Sequence, residues 1–315
     1  MTALTRHRPE PAPGGVFHHP ALFYGTDEEY LAGVGGFIGE GAADGAPLLV
    51  AVPGPRLDLL RDTYRAQEGI TWVDMRDAGR NPGRILSMLQ EFADRAGDRA
   101  PAIVGEPIWV GRTPAETREA TRHEALINLA FAHRHATILC PYDTALPGDV
   151  LTQARRTHPV VGDADAYRPS PEHTDAHEVA RDCDTPLPEP DDPIVMPYGT
   201  EDLARVRDTT DQWAEAAGMS AQRRTDLLLA VTEATSNSVR HGGGRGTLRL
   251  WRTADALVAE TSDGGRFTDP LVGRRRPDPF SPHGGRGVWM MHQLADLVEI
   301  RASAQGLVLR LHMAV

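Results

Sequence analysis

Glu233 and Asn237 stand four residues apart in a stretch, Arg224 to Arg240, whose Leu227, Val231 and Ala234 recur at helical spacing. That separation puts a carboxylate and an amide on one helix face. At about 100° per residue Glu233 lies roughly 200° round from Val231, which turns the pair away from the apolar stripe and toward a cleft. Two glycine-bearing pieces follow. Asp263-Gly264-Gly265-Arg266-Phe267 comes straight after a strand-like run, Ala256 to Glu260. Gly284-Gly285-Arg286-Gly287-Val288 opens a second helical segment, Val288 to Leu297.

A phosphate chain needs backbone N–H donors within hydrogen-bond reach, and glycines ahead of a helix N-terminus supply them together with the helix dipole. Gly284 to Gly287 followed by a helix meets that need. Mg²⁺ takes a few oxygen ligands and keeps several waters, so one Asn amide beside phosphate oxygens is enough. The chain contains no Lys, which excludes a GxxxxGK[ST] phosphate loop. The three pieces are therefore expected to converge on one nucleotide.

The elements that must position them sit in a chain of 315 residues, long enough for two domains. The net charge of −11 is concentrated: Asp163 to Asp192 holds ten acids and two arginines, a net −8 that leaves −3 for the rest. This stretch is also rich in proline, and residues 163–193 read as an acidic, extended linker that separates residues 17–162 from residues 194–315. With no basic stripe elsewhere, no direct nucleic-acid partner is expected. Cys140 and Cys183 lie far apart without a CxxC or Cys/His ligand spacing, Met1 to Gly15 lacks an apolar leader core, and no apolar run approaches the ~18 residues of a span. The expectation is a soluble cytoplasmic protein with no membrane contact.

Residues 17–162 alternate strand and helix. Pro47 to Val52, Ile70 to Asp74, Ala102 to Val104 and Ala136 to Cys140 read as strands. Pro55 to Ala66, Pro82 to Ala96 and a helix opened by the capping box Thr113-Pro114-Ala115-Glu116, reaching toward His135, lie between them. Such alternation favours an α/β domain with a parallel sheet and helices on both faces. His18, His19, Glu106, His123 and Glu124 read as core and capping residues rather than metal ligands, since no HExxH or Cys/His spacing is present.

The order Glu-x-x-x-Asn, Asp-x-Gly, Gly-x-Gly resembles the GHKL (histidine-kinase-like) ATPase group, and most closely its anti-sigma factor serine/threonine kinase branch. The resemblance implies a Bergerat α/β sandwich over residues 194–315 and ATP with Mg²⁺ as cofactors. It implies that Asn237 holds the metal and that Glu233 is catalytic, polarising the attacking hydroxyl. Asp263 would take the adenine amino group, Gly265 would let the backbone approach, and Gly285, Arg286 and Gly287 would bind nucleotide at the end of the lid. The implied partners are a sigma factor, sequestered, and an anti-anti-sigma (STAS) protein, phosphorylated on Ser or Thr; room is left for a homodimer. Arg274-Arg275-Arg276, between the glycine pieces, falls in the segment that would close over the triphosphate. A non-catalytic ATP-binding partner-switching module is an alternative. A sensor histidine kinase is another, but no helical hairpin with an acceptor His fits before Ile194.

Residues 17–162 resemble the MEDS sensory domain of bacterial regulators, carried by His18 to Tyr24, Glu106 to Arg112, Arg122-His123-Glu124 and Cys140-Pro141-Tyr142-Asp143. That resemblance implies a RecA-like, Rossmann-like core without a phosphate loop, with any ligand at the carboxyl ends of the strands.

Overall fold

The computed structural model describes residues 17–163, 166–277 and 285–315. The chain divides into two compact units, Met1–Cys183 and Asp184–Val315. Gly284, expected to open the last glycine piece, lies outside the described residues.

The first unit is built on a mostly parallel sheet. Its strands run in the spatial order Ile70–Asp74, Leu48–Val52, Ala102–Gly105, Ala136–Asp143, Pro20–Tyr24, Val160–Gly162 and Tyr167–Pro169, only the last being antiparallel to its neighbour. Leu48–Val52 is buried along its whole length, as an apolar strand covered on both faces must be. Leu48, Val50 and Val52 pack with Tyr30, Val34, Ile38, Leu57 and Leu60 from the helices Asp27–Ala43 and Gly54–Thr63. The alternate residues Leu49 and Ala51 turn to the opposite face by the period of two, where they too are buried. The capping box holds: Thr113 Oγ1 accepts from the Glu116 N–H, and Glu116 reaches back to the Thr113 N–H at 2.8 Å. This helix ends at Ala130, short of His135, because Phe131 leaves helical geometry and seats its ring in the core.

The stretch expected to be a free linker is largely folded. Tyr167–Pro169 adds the antiparallel edge strand, and Ala176–Asp182 is a helix capped by Asp175, whose side chain accepts from the N–H groups of His177 and Glu178. Ala176 and Val179 pack on Ala125, and Arg122 Nη1 donates to Ala180 O at 3.1 Å. A few well-placed apolar residues outweigh acidic composition here: Ala176, Val179, Ala180 and Cys183 are all buried.

The second unit is an antiparallel sheet of order Leu297–Ser303, Gly306–Ala314, Ala256–Asp263, Arg245–Arg252 and Ile194–Gly199, with helices on one face. Leu248, Leu250, Leu257, Ala259, Val298, Leu309 and Leu311 meet Val206 and Ala214 of the helix Leu203–Ala216, Leu227, Val231 and Ala234 of Ala221–His241, and Met291 of Arg286–Leu294. The other face is ionic. Glu260 accepts from Arg249 Nε at 2.7 Å and Arg310 Nε at 2.8 Å, its cross-strand neighbours on either side. Residues 184–189 are tied to this face, since Arg301 Nε donates to Thr185 O, Arg310 Nη2 to Pro188 O, and Arg249 pairs with Glu189. The remainder of the expected linker is thus a strap held by arginines. Among the described residues no helix is long and apolar enough to cross a membrane.

Candidate functional site

The helix Ala221–His241 is opened by Ser220, whose hydroxyl accepts from the Arg223 N–H. It buries Leu227, Ala230, Val231, Ala234, Thr235 and Ser238, and leaves Glu233 and Asn237 half-buried on the adjoining face. Those two side chains form one wall of a cavity of about 730 Å³. Asp263, Gly265, Gly285, Arg286 and Gly287 line the same cavity, so the structure brings all seven residues singled out from the sequence to one place.

Gly285 adopts φ +104° and caps the helix Arg286–Leu294, which starts two residues earlier than expected and stops three earlier. It ends where Ala295 turns extended, and the strand Leu297–Ser303 then buries Val298 and Ile300 by alternation. The first residues of this helix, Arg286 and Gly287, therefore line the cavity with the positive end of the helix dipole beside it. A Cβ placed on Gly287 would lie 2.5 Å from Glu233 Oε2 and 3.3 Å from Asn237 Nδ2. Only a residue without a side chain lets this backbone approach the carboxylate–amide pair so closely.

Asp263 ends its strand at the other side of the cavity. The Gly265 N–H donates to its Oδ1 at 2.7 Å and Ser238 Oγ to its Oδ2 at 2.5 Å, which fixes the plane of the carboxylate. Ser238 is a residue the sequence reading passed over. Its sign was available, since it follows Asn237 on the helix and falls on the buried stripe one turn after Ala234. Ile300, Leu307 and Leu309 give the cavity an apolar floor, and Arg240, Arg266 and Arg286 give it positive charge. A planar, partly apolar group carrying an amine beside Asp263 and an anionic chain beside the helix N-terminus matches this distribution.

Of the Arg274-Arg275-Arg276 run, Arg274 is buried and the other two are exposed. The run is not uniformly solvated charge. Gly273, at φ +77°, packs against Val288, where any Cβ would strike the valine side chain at 2.3 Å.

In the first unit Glu106 sits at the carboxyl end of the strand Ala102–Gly105, accepting from Tyr24 Oη at 2.9 Å and Tyr30 Oη at 3.2 Å. Burial pushes its carboxyl up to about 8, against the pull of those hydroxyls and of Arg56. A second cavity, of about 600 Å³, opens among the loops that follow the strands Ala102–Gly105 and Ala136–Asp143, with Trp109, Val110, Leu146 and Val150 in its wall.

Comparison with known families places these geometries. Residues 18–159 match the MEDS family, described as the methanogen/methylotroph, DcmR sensory domain, and residues 196–313 match the histidine kinase-like ATPase domain. Curated proteins give no match. Among solved structures, the RsbU and RsbW domains of a Mycobacterium tuberculosis protein align at 15% identity and a TM-score of 0.30, over 63% of this chain and 43% of that one. The present chain thus spans less than half of that relative. The protein carries a MEDS sensory domain in its N-terminal half and a GHKL-type histidine kinase-like ATPase domain in its C-terminal half.

Proposed function

We propose that the C-terminal domain binds Mg-ATP and is a serine/threonine kinase of the anti-sigma type: it sequesters a sigma factor, and it phosphorylates an anti-anti-sigma (STAS) protein under control of the MEDS domain. The observation that carries the reading is the close seat of the Gly287 backbone on the Glu233/Asn237 pair, with Asp263 held by Ser238 and Gly265 across the same cavity.

Each residue has a task that its surroundings suit. The Asn237 amide oxygen would hold Mg²⁺, which neutralises phosphate charge when bound. Asp263 accepts from the adenine amine, and its preset orientation favours an exocyclic N–H donor over the carbonyl that guanine presents there. The N–H groups at Arg286 and Gly287 bind phosphate oxygens, aided by the helix dipole. Glu233 orients the incoming serine or threonine hydroxyl and accepts its proton as the oxygen bonds to phosphorus and ADP departs. Positioning and charge stabilisation do most of the work in phosphoryl transfer, so this small set suffices.

The test is to incubate the full chain with Mg-ATP and candidate STAS proteins and to locate phosphoserine or phosphothreonine on the partner by mass spectrometry. ATP binding without any phosphotransfer to a STAS protein that the chain binds would replace the kinase by a non-catalytic partner-switching module. Phosphohistidine on the chain itself would point instead to a sensor kinase.

A further inference from the structure

Four side chains with no part in the nucleotide site meet in the interior of the N-terminal unit. His19 lies just before the strand Pro20–Tyr24, Glu124 on the helix Pro114–Ala130, Cys140 on the strand Ala136–Asp143 and His158 just after the helix Gly148–Thr157. They are between 0% and 2% exposed. One ligand atom from each falls in a group whose members all lie within 4.8 Å of one another.

The hydrogen bonds behind the two imidazoles fix which nitrogen each turns inward. His158 Nδ1 is 2.8 Å from Ala154 O, and a carbonyl only accepts, so Nδ1 carries the proton. His19 Nδ1 is 3.0 Å from Asn128 Oδ1, and the Asn128 amide nitrogen is committed to Thr157 O at 2.8 Å, so His19 Nδ1 is the donor as well. As neutral imidazoles, each carrying its one proton on Nδ1, both rings present a lone-pair Nε2 to the centre. These two atoms each lie 3.1 Å from the same oxygen, Glu124 Oε2, and Cys140 Sγ lies 3.4 Å from His19 Nε2. The Cys140–His19 contact is a hydrogen bond, whereas the two approaches to Glu124 Oε2 are close without being aligned as hydrogen bonds. Both Glu124 oxygens and His158 Nε2 are without a hydrogen-bond partner.

A buried carboxylate facing two lone pairs and a thiol is expensive unless a cation lies among them. A tetrahedral ion with bonds of 2.0–2.3 Å holds its ligands about 3.4 Å apart, close to the separations found. Two neutral imidazoles, one carboxylate and one thiolate also sum to the charge that a divalent ion cancels. The carbonyl of Ala154 and the amide of Asn128 then stand as the outer partners that metal-bound histidines ordinarily have.

We propose that His19, Glu124, Cys140 and His158 form a closed four-ligand site for a divalent transition-metal ion of the zinc class, tying two strands, a helix and a helix end of the sensory domain together. Thiolate and imidazole select such ions over Mg²⁺ and Ca²⁺, and a full set of four protein ligands suits a structural ion. The proposal gives His19 and Glu124, read from the sequence as core residues, a further role as ligands. The ligands come from four distant segments, so no short motif could announce them.

The test uses the full, tag-free chain produced in cobalt-supplemented medium, with Co²⁺ as the probe. The expected result is one equivalent of Co²⁺ per chain, with tetrahedral visible bands and a thiolate-to-cobalt charge-transfer band. Cys140→Ser should lose the charge-transfer band and bind Co²⁺ at least tenfold more weakly, while Cys183→Ser keeps both. Should Cys140→Ser fail to fold, thiol alkylation of the wild-type chain decides: Cys140 protected until the metal is stripped in denaturant supports the site. Cobalt content below a tenth of an equivalent, after both production in cobalt and refolding with Co²⁺, would overturn the proposal. A charge-transfer band that survives Cys140→Ser and vanishes in Cys183→Ser would do so too.

Discussion

The backbone of Gly287 rests so close to Glu233 that a single added methyl would stand 2.5 Å from the carboxylate oxygen Oε2. The obstructing atom is the far end of a flexible side chain, so the fold can yield where the chemistry cannot. Gly287→Ala should leave stability within about 0.5 kcal/mol of wild type, because Ala is the better helix former and only the side-chain ends of Glu233 and Asn237 have to give way. Phosphotransfer should fall at least tenfold. Thermal unfolding measured beside the transfer assay separates the two, and a variant that melts early but transfers normally would contradict the relationship.

Asn237→Ala and Glu233→Gln should fail differently. A metal ligand acts in the bound ground state, so the Asn237 variant should lose most Mg-ATP affinity in calorimetry. The Glu233 carboxylate acts on the attacking hydroxyl in the transition state, so its variant should bind Mg-ATP near normally and transfer at least a hundredfold more slowly. Wild-type transfer rates in Glu233→Gln would remove the catalytic assignment.

Ser238→Ala should weaken ATP binding about five- to tenfold, the worth of roughly 1 kcal/mol of hydrogen bonding that holds Asp263. Asp263→Ala should lose far more. Because the hydroxyl only orients the carboxylate, Ser238→Ala should also narrow the preference for ATP over GTP, which competition binding reads directly. Unchanged discrimination would leave Ser238 a packing residue.

Glu106 carries a pH signature whose sign is set by burial. Its carboxyl is pushed from 4.5 up to about 8, chiefly by desolvation, with Tyr24, Tyr30 and Arg56 pulling down and Asp143 pushing up. The folded state therefore keeps a proton that the unfolded chain has released between those values. Its contribution is full below pH 4.5 and is lost as pH rises toward 8, by on the order of 1 kcal/mol or more. Hydrogen exchange of the Ala102–Gly105 amides, followed from pH 5 to 9 and corrected for intrinsic rates, should show this decline in wild type and a flatter profile in Glu106→Gln. Parallel profiles would place the titration elsewhere.

The helix Ala176–Asp182 should resist both protease and solvent exchange despite its acidic surroundings. The Val179 and Cys183 amides, bonded to Asp175 O and Val179 O, should be protected as strongly as the core helix Pro114–Ala130 against which they pack. Free exchange across residues 167–183 would restore the open linker.

Sequence alone determined where the candidate site residues of the C-terminal half fall along its helices and strands. Glu233 and Asn237 fall on one helix face by spacing, Gly285 and Gly287 precede and open a helix, and the run Ala256 to Glu260 ahead of Asp263 reads as strand, all of which follow from local rules of period and backbone freedom. The same rules found the buried strand Leu48–Val52 and the Thr113–Glu116 cap. Tertiary structure alone decided what depends on contacts between distant segments. Acidic, proline-rich composition signals disorder on average, yet Val179 and Ala180 fold because Ala125 and Arg122 are there to receive them, and residues 184–189 are fixed by arginines of a sheet more than fifty residues further on. Ser238 gains its meaning only when Asp263 is brought beside it. His19, Glu124, Cys140 and His158 become one cluster only when a parallel sheet and its covering helices close around them, since side chains separated by as much as 139 positions share no periodicity that a local pattern could register.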